Sequence, residues 1–243
     1  MNNKVLVTGG SGMLGTSIKF FFKNAYFLNG RLEIDLSKKE ETENFFKNKF
    51  YDVIIHTAAY TDLLFCDQNK DKAKFLHADI VSILQKSCNK LIYISTNPNN
   101  SKRYYYISKR EGEKKTFKRK TDLVIRTNIY GSGGLVKWAL SNLNSGKIIN
   151  GYKDVFFNPV HVDQLSEFIF SESQNYKGLL NVGSNKVLSK FQFLTLISKN
   201  FNFDSSLIKP IEKGSDQDLT IPLNGQYVEF NLSKGITQIN NFI

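Results

Sequence analysis

Residues 7–15 read Val7-Thr8-Gly9-Gly10-Ser11-Gly12-Met13-Leu14-Gly15. A short apolar run, residues 4–8, leads into three glycines spaced G-x-x-G-x-x-G. A pattern of helical period follows, with Leu14, Ile18, Phe21 and Phe22 on one side. A strand, a glycine turn and a helix in that order form a dinucleotide-binding turn. Gly9 permits the tight turn, Gly12 lets the backbone approach a pyrophosphate, and Gly15 lets the helix pack close to the strand. The free amides around Ser11, Met13 and Leu14 then face the anion.

Outward from this turn the first half alternates strand and helix. Strands are expected at residues 25–28, 32–34, 52–56, 91–95 and 123–127, and helices at 39–49, 71–88 and 102–118. Continuous apolar strands between amphipathic helices imply an α/β fold, a Rossmann-type doubly wound parallel sheet with helices on both faces. After Gly131 the pattern loosens. Helices are expected at 135–143 and 162–171, a strand at 179–182, and a helix with Ser189 as its N-cap. The expected domains are a dinucleotide-binding domain, 1–128 with 158–182, and a small C-terminal substrate lobe, 129–157 with 183–243.

The 243 residues are 41% hydrophobic and 23% charged, enough for a core and against disorder. Two cysteines make no disulfide scaffold and suggest a reducing compartment. The N-terminus does not read as a secretory signal, and no apolar run is long enough to span a membrane. His56, His77 and His161 have no zinc-site spacing, so no metal is expected. The net charge of +11 fits an anionic partner, or the compositional bias of a Lys-, Asn- and Ile-rich chain. Residues 102–120 hold nine Lys or Arg, but no nucleic-acid motif accompanies them, so no nucleic-acid partner is expected.

The end of the second strand chooses the cofactor. An acid there suits the ribose of NAD, and an arginine accommodates the 2′-phosphate of NADP. The strand ends Leu28-Asn29-Gly30-Arg31 with no acid at its tip. Arg31, with Lys23, therefore argues for NADP, with NAD as the alternative. Asp35 is placed either to meet the adenine amino group or to cap the next helix.

Tyr105 and Lys109 stand at i and i+4, one turn apart on one helix face. A lysine ammonium there is expected to favour the phenolate and lower the tyrosine pKa. The preceding strand ends in Ser95-Thr96, and strand C-termini face the ligand in a doubly wound sheet. Thr96 and Tyr105 are thus expected to converge on one carbonyl oxygen.

The ordered motifs TGGSGMLG, Asp35-Leu36, HTAAYTD at 56–62, Ser95-Thr96, YxxSK at 105–109, Gly112-Glu113 and RTNIYG at 126–131 resemble the extended short-chain dehydrogenase/reductases. Within them the chain is most similar to the dTDP-4-dehydrorhamnose reductases, over nearly its whole length. That resemblance implies an NADP-dependent oxidoreductase of nucleotide-sugar and polysaccharide biosynthesis, cytoplasmic, acting on a nucleotide-linked 4-keto-sugar. Thr96, Tyr105 and Lys109 would be the catalytic residues. Tyr105 would give the proton, and Lys109 would also bind the nicotinamide ribose. Ala58, Ala59 and Tyr60 would line the cofactor trough, Leu36 would follow Asp35 there, and Asn128 would lie near the nicotinamide. A homodimer is the candidate assembly. The sequence departs from the family in three places. Only eight residues separate Thr96 from Tyr105, Asn97 replaces an aspartate, and His77 stands where an asparagine is usual. An NDP-sugar epimerase with bound NAD, or a non-catalytic NADP-binding regulatory protein, are the alternative functions.

Overall fold

The structure, a computed structural model, describes residues 4–30, 33–97, 102–214 and 226–239. Its elements in chain order are β1 (Val5–Thr8), α1 (Met13–Phe21), β2 (Tyr26–Leu28), α2 (Lys39–Phe46), β3 (Tyr51–His56), α3 (Leu63–Gln68) and α4 (Lys70–Lys74). A π-helical turn (Phe75–Asp79) then leads to α5 (Val81–Lys86), β4 (Cys88–Thr96), α6 (Tyr104–Thr116) and β5 (Leu123–Tyr130). The remainder comprises α7 (Gly134–Asn144), β6 (Ile149–Tyr152), β7 (Phe156–Phe157), β8 (Pro159–His161), α8 (Val162–Ser171), β9 (Gly178–Ser184), β10 (Leu188–Ser189), α9 (Lys190–Asn200), β11 (Ile208–Ile211), β12 (Gln226–Phe230) and α10 (Leu232–Gln238).

The chain divides into two units. The first comprises Met1–Thr96, Lys102–Arg126 and Ser166–Leu180; the second comprises Asn97–Ser101, Thr127–Leu165 and Asn181–Ile243. Asn97 and residues 127–128, 158–165 and 181–182, grouped with the dinucleotide domain in the sequence reading, fall in the second unit.

In the first unit the strands follow the order β9-β5-β4-β3-β1-β2. β1 pairs in parallel with β2 and β3, and β3 with β4. Every residue of β1 is buried, as the interior of a sheet covered on both faces requires. Leu6, Ile54, Leu84, Leu91 and Tyr93 are at the centre of this unit's core. This is the doubly wound arrangement expected from the alternating pattern. In the second unit β8 pairs in parallel with the end of β5, and β11 with β6. Its core gathers Tyr130, Phe157, Phe193, Leu232 and Ile236. Ser189 caps α9 as expected, and Gln192 completes a capping box with it.

Three local expectations fail. The single helix expected over 71–88 is broken by the π turn, where Ile80 N donates to Phe75 O at 2.9 Å. One extra residue in the turn leaves the apolar stripe nearly unchanged, so periodicity does not reveal it. Residues 63–68 form α3, which had no expected counterpart; Asp62 caps it by accepting from Phe65 N at 2.7 Å. The strand expected over 32–34 is absent at Ile34, which is buried in the core outside any strand, while Leu32 lies outside the described residues. Among the described residues no helix is long and apolar enough to cross a membrane.

Candidate active site

The glycine turn is held by the neighbouring strand end. Gly9 has φ +71°, and a Cβ there would stand 2.7 Å from Ala58 N. A Cβ on Gly15 would stand 2.2 Å from Gly9 O, so only glycine lets α1 start this close to the turn. Gly12 occupies the N-cap of α1, and no side chain caps that helix. Its first amides are therefore directed at whatever anion occupies the turn.

The turn opens onto a cavity of about 240 Å³ within the first unit. Of the expected cofactor residues, Gly9, Ser11, Gly12, Asp35, Leu36, Ala58, Ala59 and Tyr60 line it. Met13, Leu14, Gly15 and Lys109 are not among its lining residues; Leu14 is buried in the core. Asn128 lies in the second unit, on β5 opposite Pro159 of β8. The sequence reading missed Leu28, Ile34 and Leu76, which add apolar wall, and Thr57, whose hydroxyl donates to Thr8 O at 2.6 Å.

Asp35 lines this cavity and also organises its own turn. Its Oδ1 accepts from Ser37 N at 3.0 Å and from Ser37 Oγ at 2.7 Å. The N-cap of α2 is Lys38, so Asp35 does not cap that helix.

Arg31 lies outside the described residues. The tip of β2 nevertheless carries an acid in space. Glu33 folds back, accepting from Asn29 N at 3.1 Å and from the Tyr26 hydroxyl. The expectation of no acid at this tip is corrected: Glu33 is four residues past Asn29, and the turn at Gly30 (φ +125°) brings it back.

The second cluster joins α6 to the end of β4. The Tyr105 phenol is near enough to Thr96 for the threonine hydroxyl to act on it. Lys109 is buried; its Nζ donates to Ile94 O at 2.6 Å and sits 4.3 Å from the centroid of the Tyr93 ring. Ser95 Oγ donates to Glu113 Oε1 at 2.6 Å, and Arg126 grips the same carboxylate at both oxygens, at 2.9 and 2.6 Å. Ile94 and Ser95 of β4 are thus held by one buried face of α6. A Cβ on Gly112 would come 2.1 Å from His77 O, so the helix needs glycine there to approach the π turn.

The electrostatics differ from the expectation drawn from Y-x-x-x-K. Burial raises the Tyr105 phenol well above its usual pKa, Tyr106 adds to this, and the nearby Thr96 hydroxyl opposes it. Lys109 is not among the groups acting on the phenol. Burial instead lowers the Lys109 ammonium to about 7, with Glu113 opposing the shift. Tyr105 therefore holds its proton at neutral pH, the form a general acid needs.

Two histidines link this cluster to the cavity. His56 Nδ1 lies 2.8 Å from Thr8 Oγ1 and its Nε2 lies 3.0 Å from Leu76 O. His77 stacks edge-on to Tyr105, with ring centroids 5.7 Å apart, and takes the Tyr60 amide at 3.0 Å. Much of the basic run is already engaged: Lys109 is buried, Arg103 pairs with Asp67, Lys115 with Asp79 and Arg119 with Asp122.

Residues 3–98 match the family model described as the RmlD substrate binding domain. Over 232 residues the chain is 22% identical to the spore coat polysaccharide biosynthesis protein SpsK of Bacillus subtilis (strain 168), covering 84% of this chain and 82% of that one. Among solved structures it is similar to dTDP-4-dehydrorhamnose reductase of Bacillus anthracis str. Ames in complex with NADP. The TM-score there is 0.84 and the identity 19%, over 98% of this chain and 99% of that chain. It is also similar to the Bordetella bronchiseptica enzyme WbmH in complex with NAD+, with TM-score 0.80 and 17% identity over 99% and 98% of the two chains. At these identities the structural likeness establishes the fold, a Rossmann-like α/β sheet with flanking helices.

Proposed function

We propose that this protein is an NADPH-dependent reductase of a nucleotide-linked 4-keto-sugar, of the extended short-chain dehydrogenase/reductase type. The observation that carries the reading is the buried face of α6 at the β4 end, where Lys109 donates to Ile94 O, Glu113 accepts from Ser95 and the Tyr105 phenol is close enough to Thr96 to feel its hydroxyl, in the same unit as a cavity rimmed by the glycine turn. The comparisons support the same class, since one solved relative is a dTDP-4-dehydrorhamnose reductase in complex with NADP.

The cavity fits the cofactor. The tight glycine cradle and uncapped α1 suit a pyrophosphate, and Leu28, Ile34 and Leu36 suit an adenine face. Bound NADPH would supply the hydride equivalent. The chain supplies the rest. Thr96 orients the carbonyl oxygen by donating to it, and Tyr105 delivers the proton to that oxygen. Lys109, whose ammonium donates to Ile94 O, is assigned to the nicotinamide ribose by resemblance alone. Asn128 is assigned to the nicotinamide side by resemblance alone.

The test is NADPH oxidation, followed by absorbance, over a panel of nucleotide-linked 4-keto-sugars that includes dTDP-4-dehydrorhamnose. Tyr105→Phe should lower turnover by roughly 10²–10⁴ and leave NADPH affinity nearly intact. Tyr104→Phe and Tyr106→Phe should be mild. Full activity in Tyr105→Phe, or no reduction of any member of the panel by the unmutated protein, overturns the proposal. A second reading, NAD as cofactor, is favoured by Glu33 at the tip of β2.

A further inference from the structure

The π turn carries His77 between the two halves of the first unit's site, and its hydrogen bonds fix its chemical form. The Tyr60 backbone N–H has only a proton to offer, and its partner is His77 Nε2 at 3.0 Å. Nε2 must therefore be the bare, accepting nitrogen. On the other side His77 Nδ1 lies 2.8 Å from Ser108 Oγ. Ser108 Oγ also lies 2.9 and 3.0 Å from the carbonyl oxygens of Tyr104 and Tyr105, either of which can take its hydroxyl proton. With Nε2 bare, the neutral ring carries its hydrogen on Nδ1, and Ser108 Oγ accepts it while its own proton goes to a carbonyl. The Ser108 side accommodates the tautomer that the Tyr60 amide fixes, the reverse of His56, whose Nε2 must donate to Leu76 O.

We propose that His77 is a positioning residue, an imidazole locked with its proton on Nδ1, which ties the cofactor-cavity wall at Tyr60 to the helix that carries Tyr105. This rests on the reductase reading for its kinetic consequence, and on geometry alone for the tautomer and the tie. Tyr60 lines the cavity, and the His77 ring stands edge-on to Tyr105 at 5.7 Å. The backbone of the same residue is fixed too, since His77 O accepts from the Tyr93 hydroxyl at 2.6 Å. The Tyr93 ring in turn lies under the Lys109 ammonium. Burial and the nearby Lys109 charge hold the imidazole neutral, lowering its pKa to about 2. A charged ring would also have no lone pair for the Tyr60 amide.

Two substitutions separate the two arms. In His77→Gln, the amide oxygen reaches the Nε2 position and keeps the Tyr60 bond, but Ser108 loses its donor. In His77→Asn, the amide nitrogen reaches the Nδ1 position and keeps the Ser108 bond, but the Tyr60 amide loses its bond to residue 77. Losing one buried hydrogen bond gives an expected change of about tenfold in the parameter its arm controls. His77→Gln should lose most in kcat, and the first-turn amides of α6 should exchange about tenfold faster. His77→Asn should lose most in NADPH affinity, measured by fluorescence titration. Long-range ¹H–¹⁵N correlation of the histidine rings should show His77 with Nδ1 protonated and Nε2 bare.

A His77 ring protonated on Nε2 overturns the proposal. So does a parallel loss, in which both variants shift affinity, kcat and α6 exchange by the same factors, as a merely structural residue would. Absence of turnover, or of NADPH binding, in the unmutated protein defeats the reductase reading instead. The tautomer and the exchange rates of α6 still decide the tie in that case.

Discussion

Replacing Lys109 by methionine tests the least conventional feature of the site, a lysine whose charge is disfavoured by its own fold. The side chains are of similar length, so the exchange removes the ammonium with little change of volume. Burial lowers the Lys109 pKa from 10.5 to about 7. Between those values the unfolded chain holds a proton that the folded chain has released. Stability therefore rises with pH across that window and falls as pH drops towards 7. Below about 7 both forms are protonated and the burial penalty is fully present. For a group this buried, the shift makes the native state roughly 3 kcal/mol less stable at pH 7 than at pH 10 through this residue alone. Lys109→Met removes that slope and also loses the bond to Ile94 O, which costs about 1–3 kcal/mol. The variant should therefore match or exceed the parent in stability near pH 7 and fall below it near pH 10. The assay is urea unfolding of both proteins at intervals from pH 6 to 10, read as the difference between them so that other titrating groups cancel. A difference that stays constant across this range would refute the reasoning, because Lys109 would then keep its ordinary pKa in the fold.

Gly15→Ala should destabilise the protein by about 1–3 kcal/mol in chemical denaturation and weaken NADPH binding, because its Cβ would stand 2.2 Å from Gly9 O. Glu113→Gln should cost about 2–4 kcal/mol, measured as a lower urea midpoint, since it leaves Arg126 without its charge partner and loosens the α6–β4 contact. Replacing Glu33 by glutamine should shift the ratio of NADH to NADPH affinity towards NADPH by about tenfold, read by titration of each cofactor; an unchanged ratio would mean that its carboxylate serves only to fold the β2 tip.

The fold was legible in the sequence because its determinants are local. The glycine spacing at 9, 12 and 15 is imposed by one turn, and a strand buried on both faces must be apolar at every position, as β1 is. The Tyr105–Lys109 spacing and the Ser189 cap depend on a single helix each, so they too could be read directly. What the tertiary structure alone decided are contacts between residues distant in sequence. Glu113 meets Ser95 and Arg126 because β4, α6 and β5 pack in one register, which no local pattern encodes. Lys109 points at Ile94 O rather than acting on Tyr105 because the depth of α6 against the sheet sets the reach of its side chain. His77 joins Tyr60 to Ser108 because a π turn inserts one residue into a helix whose apolar stripe hides the insertion. Periodicity averages over several turns and is blind to one added residue, while a hydrogen bond is sensitive to a fraction of an ångström. The chain thus announces its architecture in its repeats, and the chemistry of its buried groups follows only from which distant atoms the packing brings within bonding distance.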